Sequence, residues 1–530
     1  MKAPDRYRDP VPQDADVVVV GAGLGGLVAA ALLARAGRRV VVLDRHYVPG
    51  GNASVFQRKE YEFDVGIHYL GSCGKGGLIP RILEACGAHV VFRPMDRELE
   101  QLRFPGLEFT IPGDRDEFRR RLLERFPDEA RGIRRYIRFL EQVDRVVAAS
   151  ASGSRMRALL ALLRCPLVLR YAGSTLDEFL DSCTKNAALR AIACAQHGTY
   201  ALAPAKVSAL LHAGLQNHYF GSGGWYPEGG GQVMADRLVE AIEDAGGVVR
   251  LRSEVQRIET AAGAVTGVTF SNKHLGTRTI RAPIVVANAD LKKTVVELVG
   301  EAAFPPEWAG RVRGFEMSLP LFVVYLGLDL PPEKLPYGNC NLWSFGSFDF
   351  DHDYAEIEQG RMPARPFLYI ATASRKDPGN RRLAPTGHTN LQLMTVAPAL
   401  PSFWGVTEEQ LRDGSYSEVP AYHDAKKKLT AQLLAEAEQF LPGIAAHVAY
   451  CESATPLTHT RYTESTGGTS YGIAASPAQF LKGRPGTRTP VQGLFLAGAS
   501  TRAGHGIAGV MRSGLDAASA ILGHRVSLPD

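Results

Sequence analysis

No Cys-x-x-Cys pair occurs in this sequence, and its cysteines (Cys73, Cys86, Cys165, Cys183, Cys194, Cys340 and Cys451) are odd in number and scattered. A disulfide framework and a structural zinc site are thereby disfavoured, and reduced thiols in a cytoplasmic setting are expected. The zinc-protease string His-Glu-x-x-His is missing too, and His197, His218 and His459 show no metal-ligand spacing, so no metal site is expected. No apolar run approaches the roughly 18 residues of a membrane-crossing helix. The charged start, M-K-A-P-D-R-Y-R-D-P, is followed by no apolar stretch, so no secretory leader is expected. A strong excess of one charge is absent as well. Sixty basic residues face 55 acidic ones, for a net charge of +5, which does not call for nucleic acid as a partner.

What is present begins with length. A chain of 530 residues with 45% apolar content can bury a large core and should form two or more domains. Residues 16–20, D-V-V-V-V, read as a buried parallel strand. G-A-G-L-G-G follows at once, then an apolar helix ending at Gly37, then a second strand ending at Asp44. Each glycine has a physical task in such a turn. Gly21 permits the tight bend, Gly23 lets backbone approach a pyrophosphate, and Gly26 lets helix and strand pack closely. The helix N-terminus offers free N–H groups to phosphate. Asp44 stands where a carboxylate can hold ribose hydroxyls, and it disfavours a 2′-phosphate and hence NADP.

Arg45 to Asn52, R-H-Y-V-P-G-G-N, carries the glycine pair Gly50 and Gly51. Residues 61–71 run Y-E-F-D-V-G-I-H-Y-L-G, with Gly66 at their centre. Two later stretches, Y-P-E-G-G-G-Q-V-M-A-D-R-L (226–238) and G-L-F-L-A-G-A-S-T-R-A-G-H-G-I-A-G-V (493–510), place glycine loops before helices. In this order the four stretches resemble the phytoene desaturase, carotenoid isomerase and retinol saturase family of FAD-dependent oxidoreductases. The F-D-V-G-I-H-Y form is most like retinol saturases, and the closing loop is most like desaturases and isomerases. The resemblance implies an α/β fold: a two-dinucleotide-binding, Rossmann-type FAD domain, discontinuous in sequence, with an inserted α+β substrate domain. It further implies FAD as cofactor, held by Gly21, Gly23, Gly26, Asp44, Arg45, Gly50, Gly51, Asn52 and Gly66, by Val255 near the adenine, and by Gly498, Gly506, Ile507 and Val510. The expected segments are 14–75, 226–300 and 456–530 for the FAD domain. A helical part, 76–225, and a sheet part, 301–455, make up the substrate domain. V-T-G-V-T-F is expected to pair with the later run T-I-R-A-P-I-V-V-A-N-A.

The same resemblance implies chemistry at a carbon–carbon double bond of a hydrophobic polyene or isoprenoid, with saturation preferred to desaturation. His68, Tyr69 and His505 are the catalytic candidates, because their motifs pass beside the flavin ring in that family. His68 or Tyr69 would donate the proton that accompanies a hydride. Three alternatives stand beside this reading: a flavin-dependent carotenoid cis-trans isomerase, a flavin amine oxidase, and a non-catalytic prenyl-binding escort protein. The electron donor or acceptor is not legible. Residues 155–171, R-M-R-A-L-L-A-L-L-R-C-P-L-V-L-R-Y, are too short to span a bilayer. They read equally as a monotopic segment on an anionic membrane surface or as a lid helix with solvated arginines. The first reading makes the protein peripheral to a membrane.

Overall fold

The computed structural model describes residues 5–151 and 154–529. The first four residues of the start in which no leader is expected, residues 152 and 153, and Asp530 lie outside the described residues. Five short strands form a parallel sheet in the spatial order Leu494–Leu496, Val285–Ala287, Val17–Val20, Val40–Leu43 and Val248–Arg250. Val17–Val20 and Val40–Leu43 are buried throughout, which is why both read as unbroken valine-rich runs. Helix Leu24–Arg35 packs between Val233–Asp244 and Gly506–Leu522. Its contact with the last of these is close enough that a Cβ on Gly514 would lie 2.2 Å from the Gly25 carbonyl oxygen.

An antiparallel sheet of Ser253–Ala261, Ala264–Asn272 and Gly276–Arg281 covers one side. Here the pairing departs from expectation. Only the first part of T-I-R-A-P-I-V-V-A-N-A pairs with Ala264–Asn272; Val285–Ala287 instead joins the parallel sheet. Pro283 separates the two, and a residue without an N–H cannot continue the ladder.

The second layer is a seven-stranded sheet ordered Val448–Ala454, Leu321–Leu328, Thr389–Val396, Leu368–Ala371, Asn341–Ser344, Glu98–Phe104 and Leu107–Pro112. All its pairs are antiparallel except Asn341–Ser344 with Glu98–Phe104. One face carries the helices Arg115–Arg125, Ala130–Ala151 and Ala209–Phe220, whose apolar residues share a core with the sheet. The 155–171 stretch folds as Arg155–Leu163 and Pro166–Tyr171, broken where proline starts a new helix.

Candidate flavin and redox site

A cavity of ≈ 590 Å³ runs along the C-terminal edge of the parallel sheet, the place where open α/β sheets bind ligands. Its wall includes Gly21, Gly23, Asp44, Arg45, Gly50, Gly51, Asn52, Gly66, Val255, Gly498, Gly506, Ile507 and Val510. Gly26 is not on the wall. It sits beneath, where a Cβ would lie 2.2 Å from the Gly21 oxygen, so it serves the helix–strand contact. Gly21 adopts φ +99°, which only glycine takes without strain.

Two helix N-termini face this one cavity, that of Leu24–Arg35 and that of Gly506–Leu522. Leu24 and Gly25 belong to the first turn of the former, whose N–H groups have no intrahelical acceptor. Asp44 accepts N–H bonds from Ala22 at 2.6 Å and His46 at 2.7 Å. Each carboxylate oxygen keeps a further lone pair for a hydroxyl donor. Burial raises the Asp44 pKa against those two bonds. Arg45 is drawn to Glu464 at 3.2 Å and Glu254 at 3.7 Å. Asn52 donates to the Ser470 carbonyl at 3.3 Å. Exposed backbone, an acid for ribose and two helix ends for anionic oxygens together fit a flavin adenine dinucleotide.

The central organiser, Asn288, was not singled out in the sequence. It follows the strand Val285–Ala287 and donates to the Gly21 carbonyl at 3.3 Å. A Cβ on Gly23 would meet its Nδ2 at 2.7 Å, and one on Gly498 would meet its Oδ1 at 3.1 Å. One side chain therefore touches both the opening and the closing glycine loop. Its only sequence signal is a polar residue at the end of an apolar strand. Arg484 was missed as well. It is fully buried and donates to the carbonyls of Gln479, Ile473 and Ala499, and burial lowers its pKa to about 10.

Past Gly66 the cavity wall turns apolar and aromatic, with Phe56, Tyr325, Ala454 and Tyr471. Phe56 meets Tyr325 edge-on at 4.8 Å. The three catalytic candidates lie behind this wall rather than on it. His68 contacts the Tyr369 ring edge-on at 5.8 Å, and burial plus the nearby Lys376 charge hold its pKa at about 3. The imidazole is therefore neutral near pH 7 and carries no cationic proton to give. His505 precedes helix Gly506–Leu522, 5.2 Å from the Tyr471 ring, with Nδ1 unpartnered and a pKa lowered by burial to about 3. Tyr69 is buried, stacked on Tyr219 at 4.5 Å, and accepts an N–H bond from Gln196 at 3.1 Å.

The string G-T-S-Y-G at 468–472 has the spacing of a hydrolase nucleophile turn. It follows a 3₁₀ turn and precedes no helix, so it lacks the strand-to-helix bend that exposes such a serine.

The sequence profile of the flavin containing amine oxidoreductases matches residues 24–522. The all-trans-retinol 13,14-reductase of Danio rerio is 27% identical, over 98% of this chain and 88% of that protein. Prolycopene isomerase 1, chloroplastic, of an Oncidium hybrid cultivar is 26% identical over 97% of this chain and 84% of its own length. Among solved structures, an oxidoreductase from Methanosarcina mazei superposes with a TM-score of 0.62 at 20% identity, covering 96% of this chain and 99% of the other.

Proposed function

Because the chain belongs to the flavin containing amine oxidoreductase family, and is an FAD-dependent oxidoreductase, we propose that it adds or removes two hydrogens across a carbon–carbon double bond of a hydrophobic polyene or isoprenoid, with addition preferred. The observation that carries this reading is the path of one segment. Residues 61–70 run from the cavity wall at Gly66 to the buried, hydrogen-bonded hydroxyl of Tyr69. A proton source thus stands just behind the aromatic part of the cavity wall. Likeness over nearly the whole chain to a retinol reductase and a prolycopene isomerase supports the same substrate class.

FAD, when bound, supplies the hydride-exchanging ring. The chain's own residues do the rest. Phe56, Tyr325 and Tyr471 shape an apolar channel beside it. Tyr69 holds the proton destined for the second carbon. Neutral His68 orients rather than protonates, while its backbone carbonyl is fixed by Lys376 Nζ at 2.6 Å. If the Oncidium relative is the better guide, substrate and product have equal mass and differ only in double-bond geometry.

The stretch 155–171 is the point of contact with a lipid surface in this proposal. Arg155–Leu163 buries no residue, and Met156 and Leu163 are 64% and 62% exposed. Arg155, Arg157, Arg164 and Arg170 flank them, and none forms an ion pair among the described residues. No helix of the described residues is long and apolar enough to cross a membrane.

Stopped-flow absorbance tests the reaction class. Enzyme reduced anaerobically should regain its oxidised flavin band on mixing with all-trans-retinol, and oxidised enzyme should not be bleached by putrescine. Bleaching of the oxidised flavin by putrescine, with no reoxidation of reduced enzyme by retinol, would favour the amine oxidase alternative.

A further inference from the structure

Glu100 has no exposed surface and sits on the next-to-last strand of the seven-stranded sheet. A carboxyl there is costly unless it is neutral or richly hydrogen-bonded. It accepts N–H bonds from Trp343 Nε1 at 2.8 Å and Gln196 Nε2 at 3.2 Å. The same Gln196 amide reaches the Tyr69 hydroxyl, and that hydroxyl is also within hydrogen-bonding reach of Glu100. Gln216 fixes the other end of Gln196 at 2.9 Å. Nothing in the flavin site uses this acid.

We propose that Glu100 is the proton reservoir behind Tyr69: a buried carboxyl that re-protonates the phenol as it gives its proton to the substrate carbon. The inference rests on the reading of the enzyme as one that adds two hydrogens to a double bond. FAD, when bound, would supply the electron pair and one hydrogen as hydride. The second hydrogen leaves the Tyr69 oxygen as a proton and bonds to the neighbouring carbon. In the same event the Glu100 O–H breaks and its proton bonds to the Tyr69 oxygen, so the phenol is regenerated and the charge rests on the carboxylate. A solvent proton restores Glu100 before the next turnover.

Three features make this arrangement more than a buried polar pair. A tyrosinate at this position is strongly disfavoured by burial and by neighbouring charge, so Tyr69 can give up its proton only as another reaches it. The carboxylate left behind keeps the two N–H bonds from Trp343 and Gln196 and faces the Lys376 cation, which lies close enough to favour it electrostatically. Lys376 is itself buried and held by Asn341 Oδ1 and the His68 carbonyl, each at 2.6 Å. Last, the group lies directly behind the cavity wall, with Tyr69 three residues past Gly66, which lines it. Tyr471 lines the wall and lies in electrostatic range of Tyr219 and Tyr369, the tyrosines that pack beside Tyr69 and Glu100.

The ionisable groups facing Glu100 are Tyr69 on its own loop, Tyr219 from the helix, Tyr369 from the next strands, Cys340 and Lys376. Burial dominates this set and raises the Glu100 pKa. The acid therefore holds its proton to higher pH than an exposed glutamate.

The test is a Glu100→Gln, Tyr69→Phe double-mutant cycle on flavin-loaded enzyme, with infrared difference spectroscopy of the same proteins. Gln keeps the shape and the acceptor for Trp343. Glu100→Gln should retain flavin, slow the protonation step about 10²-fold or more, and abolish the fall in rate at high pH. Adding Tyr69→Phe should cost little further, because both act on one proton. The carboxylic acid C=O band of wild type at neutral pH should vanish in Glu100→Gln. Full turnover in that variant with an unchanged pH profile, losses that multiply in the double variant, or no acid band in wild type would each overturn the relay. Failure of any polyene to reoxidise wild-type enzyme would instead strike the reaction class beneath it, and the infrared band would still report the protonation of Glu100.

Discussion

The Tyr226 hydroxyl donates to one oxygen of Asp64 at 2.5 Å, and the Gly231 N–H donates to the other at 3.0 Å. This acid of F-D-V-G thereby clamps the 61–71 stretch to the 226–238 stretch. It is 1% exposed, and burial raises its pKa to about 7 against those two bonds.

A pH effect on stability follows from that clamp. An acid with a folded pKa of about 7 and an ordinary value of 3.8 binds more protons folded than unfolded between those values. Stability then falls as pH rises through that window, by at most about 1.4 kcal/mol per pH unit, and levels off above it. Thermal melts of wild type and Asp64→Asn between about pH 4 and 8 check this. Wild-type stability minus that of Asp64→Asn should fall as pH rises through that window. Parallel curves would remove Asp64 as the cause.

The opening glycines should fail in different ways. Gly23→Val puts a side chain on the cavity wall and against the Asn288 amide, so it should give folded but colourless protein. Gly26→Ala drives a Cβ into backbone at 2.2 Å. It should lower stability by about 1–3 kcal/mol, with flavin loss only as a consequence. Flavin absorbance per chain and far-UV circular dichroism separate the outcomes. Stoichiometric flavin in Gly23→Val would remove that residue from the phosphate site.

These glycines were legible because their task is local: a strand, a tight turn and a helix N-terminus must follow one another within a few residues. The parallel valine strands were legible for the same reason. Asn288, Arg484 and Lys376 were not, since each acts on loops far away in sequence. Glu100 was hidden by its strand. In E-L-E-Q-L-R-F Glu100 shares the parity, and so the buried face, of Leu102 and Phe104, but a carboxyl at such a position reads as an ordinary polar strand residue until its partners are known. Its partners Trp343, Gln196 and Tyr69 come from segments distant in sequence, which periodicity does not announce. The pairing of 264–272 was overextended for a related reason, because one apolar run crossed from one sheet into another at Pro283.

His68 and Tyr69 should separate on substitution. His68→Ala should keep FAD and lose about tenfold in turnover, while Tyr69→Phe should lose about 10²–10⁴-fold. With its pKa at about 3, His68 stays neutral over the working range. Its removal should therefore leave the pH–rate profile unchanged between about pH 5 and 8. A lost ionisation in that profile would return His68 to the role of acid.

Lipid binding should depend on the arginines flanking Arg155–Leu163. Wild type should float with liposomes containing phosphatidylserine, less so at high salt, because part of the attraction is electrostatic. The double variant Arg155→Glu, Arg157→Glu should stay in the soluble fraction. Equal behaviour of the two proteins, or no flotation of either, would leave these residues as a solvated lid helix.

The most direct test of the central claim is the mass of the product. Anaerobic enzyme with reduced flavin, given all-trans-retinol in D₂O buffer, should yield a product that has gained two hydrogens. Both should be solvent-derived deuterium on adjacent carbons, because the N–H groups of a reduced flavin exchange with solvent just as the Tyr69 hydroxyl does. A product of unchanged mass with altered double-bond geometry, or no product from any polyene while amines are oxidised, would contradict the account.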